Sequence, residues 1–150
     1  MKSGMLRRLA RDETGSTLPL VIFYGFLVLV LVLIVAAASS LYLERKRLFT
    51  LADDAALVGA ESFDLDSVTF TGHGPRPVLQ PGQVHAAVTS YLAGNPVDKF
   101  EGLVVERATT VDGESATVTV SAIWHPPVVT VFVPDGLRID ATAVARSVFG

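Results

Sequence analysis

The sequence predicts an α+β fold, in which a long N-terminal transmembrane helix extends into a small domain with a short helix and a three- or four-stranded antiparallel sheet. Three observations support this fold class: an uncharged apolar run, an unbroken continuation of helix-forming residues, and later stretches in which apolar and polar residues alternate. We divide the chain into a short basic leader (1–15), a transmembrane helix (16–43), its amphipathic continuation (44–62) and a small α+β domain (63–150).

The apolar run is long enough to cross a membrane. The 28 uncharged residues from Ser16 to Leu43 would extend roughly 42 Å as a helix, whereas a bilayer core of about 30 Å needs about 20 residues. A secretory signal has a shorter apolar region of about 7–15 residues, so we expect a retained anchor even though VAAASS (Val35–Ser40) has the small residues of a cleavage site. Four basic residues precede the run and three follow it, which only weakly favours a cytoplasmic N-terminus.

Small residues mark places where this helix can approach another element closely. Within the apolar run these residues are Gly25, Ala36, Ala37 and Ala38. Beyond the run, small residues recur three and four positions apart and form one helix face, with members Ala52, Ala55, Ala56 and Gly59. We expect one nearly continuous helix from about Thr17 to Ser62, whose small-residue face packs against its own domain or against neighbouring copies.

Two groups of charged residues lie on the continuation of the helix. Arg45, Lys46 and Arg47 follow the apolar run directly, and Asp53 and Asp54 lie about two turns further along. The acidic pair could meet the basic group of a neighbouring subunit or bind calcium, whereas solvated helix surface is the simpler interpretation, because a calcium site needs several convergent oxygen ligands.

The second half of the chain predicts a loop, a short helix and then strands. DLDSVTFTGHGPRPVLQPGQ is rich in Pro and Gly and predicts a loop, and PGQVHAAVTSYLAGNP has helical spacing. KFEGLVVERATT and SATVTVSAIW predict a hairpin with its turn at Asp112–Gly113. VVTVFV and LRIDATAVARSVF follow as further strands, separated by a turn at Pro134–Gly136.

Composition argues against several classes of function. The chain has no cysteine, which excludes disulfides, thiolate zinc sites and cysteine nucleophiles. A net charge of -3 without a basic stripe gives no reason to expect nucleic-acid binding. His73, His85 and His125 lack the spacing of a helical metal site, and no serine has a G-x-S-x-G context. We therefore predict no enzymatic activity, no cofactor, no metal and no small-molecule substrate.

Four features, in order, resemble a known family. A short basic leader ends in DETGS, and the span follows directly. RKRLFTLADDAALVGAESF then places an acidic pair before small residues, and ATVTVSAIW, VVTVFV and LRIDATAVARSV are closing Thr/Val-rich strands. Together they resemble the TadE/TadG-like pilin-related proteins of the tight adherence (Tad, or Flp-type) pilus machinery.

The resemblance implies a function in assembly. It predicts a single-pass protein of the cytoplasmic membrane with an extracytoplasmic C-terminal domain, acting as a minor pilin or assembly factor of a Tad-type pilus or related secretion system. Its partners would be the membrane, other pilin-like subunits and the assembly platform, and its mechanism would be helix packing. The alternative is a membrane-tethered binding or sensor module that does not enter a fibre.

The resemblance also makes Gly15–Ser16 a candidate processing site of the prepilin type. The fifth residue after Gly15 is Leu20, where such prepilins usually carry a glutamate. A carboxylate at that depth needs a partner, such as the N-terminal amine of a neighbouring subunit. Its absence favours an uncleaved chain and leaves both outcomes open.

Overall fold

The computed structural model describes residues 17–64, 69–71, 74–76, 78–95, 97, 99–127 and 134–147. The leader with Gly15 and Ser16, the histidine His73 and the predicted VVTVFV strand (128–133) lie outside the described residues.

The described residues form two α-helices and five β-strands. Their order is α1 (Thr17–Ala60), β1 (Thr69–Thr71), β2 (Gly74–Arg76), α2 (Pro81–Gly94), β3 (Glu101–Thr110), β4 (Ser115–Trp124) and β5 (Leu137–Arg146). The predicted α+β class, with a long apolar helix, a short helix and a three-stranded antiparallel sheet, is confirmed. The chain divides into two compact units, Met1–Ala38 and Ser39–Gly150, which we call the N-terminal and C-terminal units.

The described part of the N-terminal unit is the first half of α1. Its most apolar 18-residue window has a mean hydropathy of 3.1, and none of that window is buried inside the protein. The exposed large apolar side chains from Leu18 to Val35 have exposed fractions of 51% to 69%, and Val30 and Leu33 are partly exposed. This segment has the length and composition of a membrane span. As a helix it also satisfies its own backbone hydrogen bonds, which a span in lipid must do.

Among the described residues of the C-terminal unit, a hydrophobic core joins the second half of α1, helix α2 and one face of the sheet. Strand β4 lies in the centre of the sheet, between β3 and β5, and both pairings are antiparallel. The core side of the sheet consists of small and β-branched residues in register, such as Val118 opposite Ala143 and Val120 opposite Ala141. Such small side chains let helices lie close to the sheet.

The β3–β4 turn forms where the sequence predicts it. Gly113 has a φ of +72°, a conformation that glycine adopts without steric cost. The Asp112 carboxylate accepts hydrogen bonds from the backbone N–H of Glu114 (2.9 Å) and from the N–H (2.7 Å) and hydroxyl (2.9 Å) of Ser115. The Leu79 N–H donates to the Gly113 carbonyl at 2.8 Å, which ties the segment before α2 to this turn.

Two local features differ from the sequence prediction. Strands β1 and β2 form a two-stranded antiparallel ribbon inside the segment predicted as a loop. Each strand has only three residues, too few for an alternating pattern to be recognised. Helix α1 ends at Ala60 rather than Ser62, where both the N–H and the hydroxyl of Ser62 donate to the Gly59 carbonyl.

Candidate functional site: the surfaces of helix α1

The small-residue face of α1 lies in the core of its own C-terminal unit. Ala52, Ala55 and Ala56 are completely buried, and Gly59 is buried beside them. Of the two alternatives that the sequence leaves open, packing against the same chain is the one the structure shows. These residues are therefore not available on the surface for contact with another subunit.

Gly59 lies where α1 comes into contact with both α2 and β4. A Cβ atom built on Gly59 would lie 3.2 Å from Ala116 Cβ, 3.2 Å from Val84 Cγ1 and 3.4 Å from Val88 Cγ2. The close approach of α2 and β4 favours a glycine at this position. Its backbone dihedral does not, because its φ is not in the left-handed region.

The small residues of the apolar segment have a different environment. No heavy atom lies within 4 Å of a Cβ built on Gly25. Ala36 and Ala38 are exposed, and Ala37 is partly exposed. These four residues therefore lie on open helix surface, where another helix can approach.

The charged residues after the apolar run occupy several sides of the helix. Arg47 forms an ion pair with Glu44 at 3.5 Å, one turn earlier. Within the described part of the chain, Arg45, Lys46, Asp53 and Asp54 form no ion pair, and all four are exposed. Arg45, Lys46, Asp53 and Asp54 therefore carry exposed charges on the surface of this unit.

Two shallow recesses lie beside these charges, and sequence reasoning found neither. One of about 290 Å³ is lined by Tyr42, Arg45, Lys46 and Phe49. The other, of about 570 Å³, is lined by Arg47, Thr50, Leu51, Asp54, Lys99 and Phe100. The first could have been found from its i, i+3, i+4, i+7 spacing. The second could not, because it needs Lys99 and Phe100 to be brought to the helix by the fold.

A polar cluster lies on the sheet face opposite the core. The Ser121 hydroxyl donates to Glu106 Oε1 at 2.6 Å and accepts a hydrogen bond from Arg138 Nη1 at 2.8 Å. Ser121 is only 1% exposed, whereas its charged partners are about half exposed. The cluster links all three strands through one buried hydroxyl, an arrangement that stabilises the sheet.

Two aromatic residues near the end of β4 have structural partners. Trp124 is 8% exposed, and its indole N–H donates to the Ser40 hydroxyl on α1 at 3.4 Å. His125 Nδ1 lies 3.2 Å from a carboxylate oxygen of Glu101. Among the described residues, no group of three or more His, Asp or Glu side chains is arranged to hold a metal ion.

The turn carboxylate has a strongly perturbed acidity. Hydrogen bonds from the backbone N–H groups of Glu114 and Ser115, together with that from the Ser115 hydroxyl, lower the pKa of Asp112 from 3.8 to about 2. All three donors favour the ionised form of a solvent-exposed carboxylate. The shift is explained by turn geometry and does not indicate a catalytic group.

Comparison with known proteins matches the region of helix α1 to a protein family. Residues 15–62 match the family model described as "Putative Flp pilus-assembly TadE/G-like". Comparisons with curated proteins and with solved structures found no match. The match begins at Gly15 and ends two residues after α1, so it contains the apolar segment, the charged residues and the small-residue face. The resemblance to TadE/TadG-like proteins that the sequence predicts is therefore confirmed over residues 15–62.

Proposed function

We propose that this protein is a non-enzymatic, pilin-like subunit of a Tad-type pilus or related secretion system, either a minor pilin or an assembly factor. The observation that carries the proposal is the division of α1 into two halves. After Ser39 its small-residue face is buried in its own domain, whereas before Ser39 its apolar surface is exposed. Contacts with other subunits accordingly run through the apolar segment.

Small residues provide the closest approach within that segment. Gly25 and the group Ala36, Ala37 and Ala38 are separated by about three turns, and both leave backbone accessible. A neighbouring apolar helix packed there gains dispersion contacts that lipid chains provide less well. This is the helix-packing mechanism that we assign to the chain, with other pilin-like subunits and the assembly platform as partners.

Charged residues further along α1 would define the axial offset between neighbouring subunits. Arg45 and Asp53 are eight residues apart, which is about 12 Å along a helix at about 1.5 Å per residue. A neighbour displaced by about that distance would bring its Asp53 and Asp54 beside Arg45 and Lys46. All four side chains are exposed and available for such pairing.

The proposed topology has the N-terminus in the cytoplasm and the C-terminal unit outside the cytoplasmic membrane. Protease added to intact cells with a permeable outer layer should then remove the C-terminal unit. Protection in intact cells, with cleavage in inverted vesicles, would reverse the topology. Mass spectrometry of the purified chain would show whether the bond between Gly15 and Ser16 is cleaved, which would leave Ser16 as the amino terminus.

Bulky substitutions in the apolar segment test the mechanism. Gly25→Leu and Ala37→Leu should reduce co-purification with partner pilins and pilus assembly, while membrane insertion remains, since leucine is fully compatible with lipid. Val35→Phe is the control, because it adds bulk on the side of the helix opposite to Ala37. Normal assembly by both leucine variants would contradict helix packing and would favour a tethered binding or sensor module that never enters a fibre.

A further inference from the structure

The side of α1 that follows the apolar run has an aromatic and cationic surface of its own. Tyr42, Arg45, Lys46 and Phe49 are spaced i, i+3, i+4 and i+7, so they lie on one helix face. They line a single recess of about 290 Å³. We call these four residues the interfacial patch.

The patch is solvent-exposed in the C-terminal unit. Tyr42 is 68% exposed and Phe49 is 51% exposed, unusual values for aromatic side chains of a folded unit. Arg45 and Lys46 are exposed and form no ion pair within the described part of the chain. Arg47, by contrast, forms an ion pair with Glu44 on another side of the helix.

The length of the apolar run places the patch at the depth of lipid headgroups. The helical residues from Thr17 to Leu43 number 27 and extend about 40 Å, close to the roughly 40–45 Å of a whole bilayer with its headgroup layers. Arg45 and Lys46 follow within two or three residues of that end. Tyrosine and cationic side chains are typical of this layer, where an aromatic ring lies at headgroup depth and a cation meets phosphate.

We propose that the interfacial patch is a binding site for the phosphate headgroup of an anionic phospholipid. Arg45 and Lys46 would contact the phosphate from both sides of the recess. Tyr42, on the membrane side of the two cations, would lie against the glycerol and the upper acyl chain, and Phe49, about one turn beyond them, would cover the outer side of the headgroup. A neutral lipid such as phosphatidylcholine would be held less well, because its own ammonium group competes for the phosphate. The proposal requires α1 to cross a bilayer but does not require the protein to enter a fibre.

The test uses the full chain reconstituted in bilayers of phosphatidylcholine mixed with phosphatidylglycerol. After mild delipidation, native mass spectrometry counts the lipid molecules of each type that remain bound. Wild-type protein should retain phosphatidylglycerol in preference to phosphatidylcholine. Arg45→Gln with Lys46→Gln should lower that preference by about fivefold for each cation removed, and raised salt should lower it in the wild type.

Matched variants separate a site from a general charge effect. Lys99→Gln with Arg107→Gln removes the same charge from exposed positions outside the patch and should retain the preference. The exchange Arg45→Lys with Lys46→Arg keeps both cations and should retain it as well.

Two results would overturn the proposal. One is an unchanged preference in the Arg45/Lys46 glutamine variant, and the other is an equal loss in the Lys99/Arg107 variant. Failure of pilus assembly in the Gly25 and Ala37 variants is measured separately and does not alter lipid retention, so the two proposals can fail independently.

Discussion

Replacing Gly59 with alanine tests the packing of the C-terminal unit most directly. The new Cβ would lie 3.2–3.4 Å from carbon atoms of Val84, Val88 and Ala116, closer than the optimal separation of about 3.5–4.0 Å. Overpacking of this kind costs about 1–3 kcal/mol, and the alanine gains at most about 1 kcal/mol of helix propensity. The Cβ of Ala116 is fixed to the backbone of β4 and cannot rotate away, so we expect a net destabilisation of about 1 kcal/mol.

The single tryptophan makes this measurement specific to the C-terminal unit. Trp124 is 8% exposed and lies in that unit, so its fluorescence reports unfolding of the domain rather than of the membrane segment. A loss of about 1 kcal/mol should lower the thermal midpoint of the full chain in detergent by roughly 4 °C. Gly82→Ala is the matched control: no atom lies within 4 Å of its Cβ position in α2, and the substitution should leave the midpoint unchanged or raise it.

A double-mutant cycle isolates the contact. Ala116→Gly removes the atom that a Cβ at position 59 would meet on β4, so Gly59→Ala should be less destabilising in that background. The reasoning is refuted if Gly59→Ala raises the midpoint as much as Gly82→Ala does. It is also refuted if the cycle shows no coupling between the two positions.

Three further predictions concern the hydrogen bonds of the same unit. The pKa of Asp112 is about 2, below its ordinary 3.8, so its ionised form stabilises the fold above about pH 4 and that contribution is lost as the pH falls towards 2. Asp112→Asn should therefore flatten the pH dependence of the thermal midpoint between these pH values. An unchanged slope in the variant would contradict this prediction. Ser121→Ala removes the hydroxyl shared by two charged groups and should lower the free energy of unfolding by about 1–2 kcal/mol, whereas a neutral effect would show that the cluster does not link the strands. Ser40→Ala should cost no more than about 1 kcal/mol, because its hydrogen bond from Trp124 is long at 3.4 Å, and a larger loss by fluorescence melting would mean a stronger link.

The elements that could be predicted from the sequence are those determined by near neighbours in the chain. The sequence predicts helix α1 from Thr17 to Ser62, because an unbroken series of helix formers specifies it locally. The observed helix begins at Thr17 and ends at Ala60. The β3–β4 turn follows from Asp112 and Gly113 alone, because one supplies a side-chain acceptor for the turn and the other tolerates a positive φ.

Features that depend on register between distant strands could not be predicted. Ser121 occupies a polar position in the alternating pattern of β4, and nothing local indicates that its hydroxyl is buried. Its partners come from strands on either side, and on β3 the pairing shifts between Val105 and Arg107, which places Glu106 against the serine. An irregularity of one residue changes which side chains meet, and a local pattern does not record it.

The small-residue face of α1 shows why composition alone cannot distinguish packing within a chain from packing between chains. Alanine and glycine permit close backbone approach whether the opposing surface is a sheet of the same molecule or a helix of another. The decision depends on whether the chain supplies a complementary surface. For Gly59 it does, because Val84 and Val88 on α2 and Ala116 on β4 surround the position at contact distance.

For Gly25 the described residues of the chain supply no such surface, and no part of the most apolar window of its helix is buried. In a bilayer its neighbours would be lipid or another protein, and lipid alone does not require a glycine, whose helix propensity is about 1 kcal/mol poorer than that of alanine. A glycine kept at that cost is best explained by a helix that approaches it closely. This reasoning is why we assign the contacts with other subunits to the apolar segment and not to the alanine-rich continuation, even though both contain small residues.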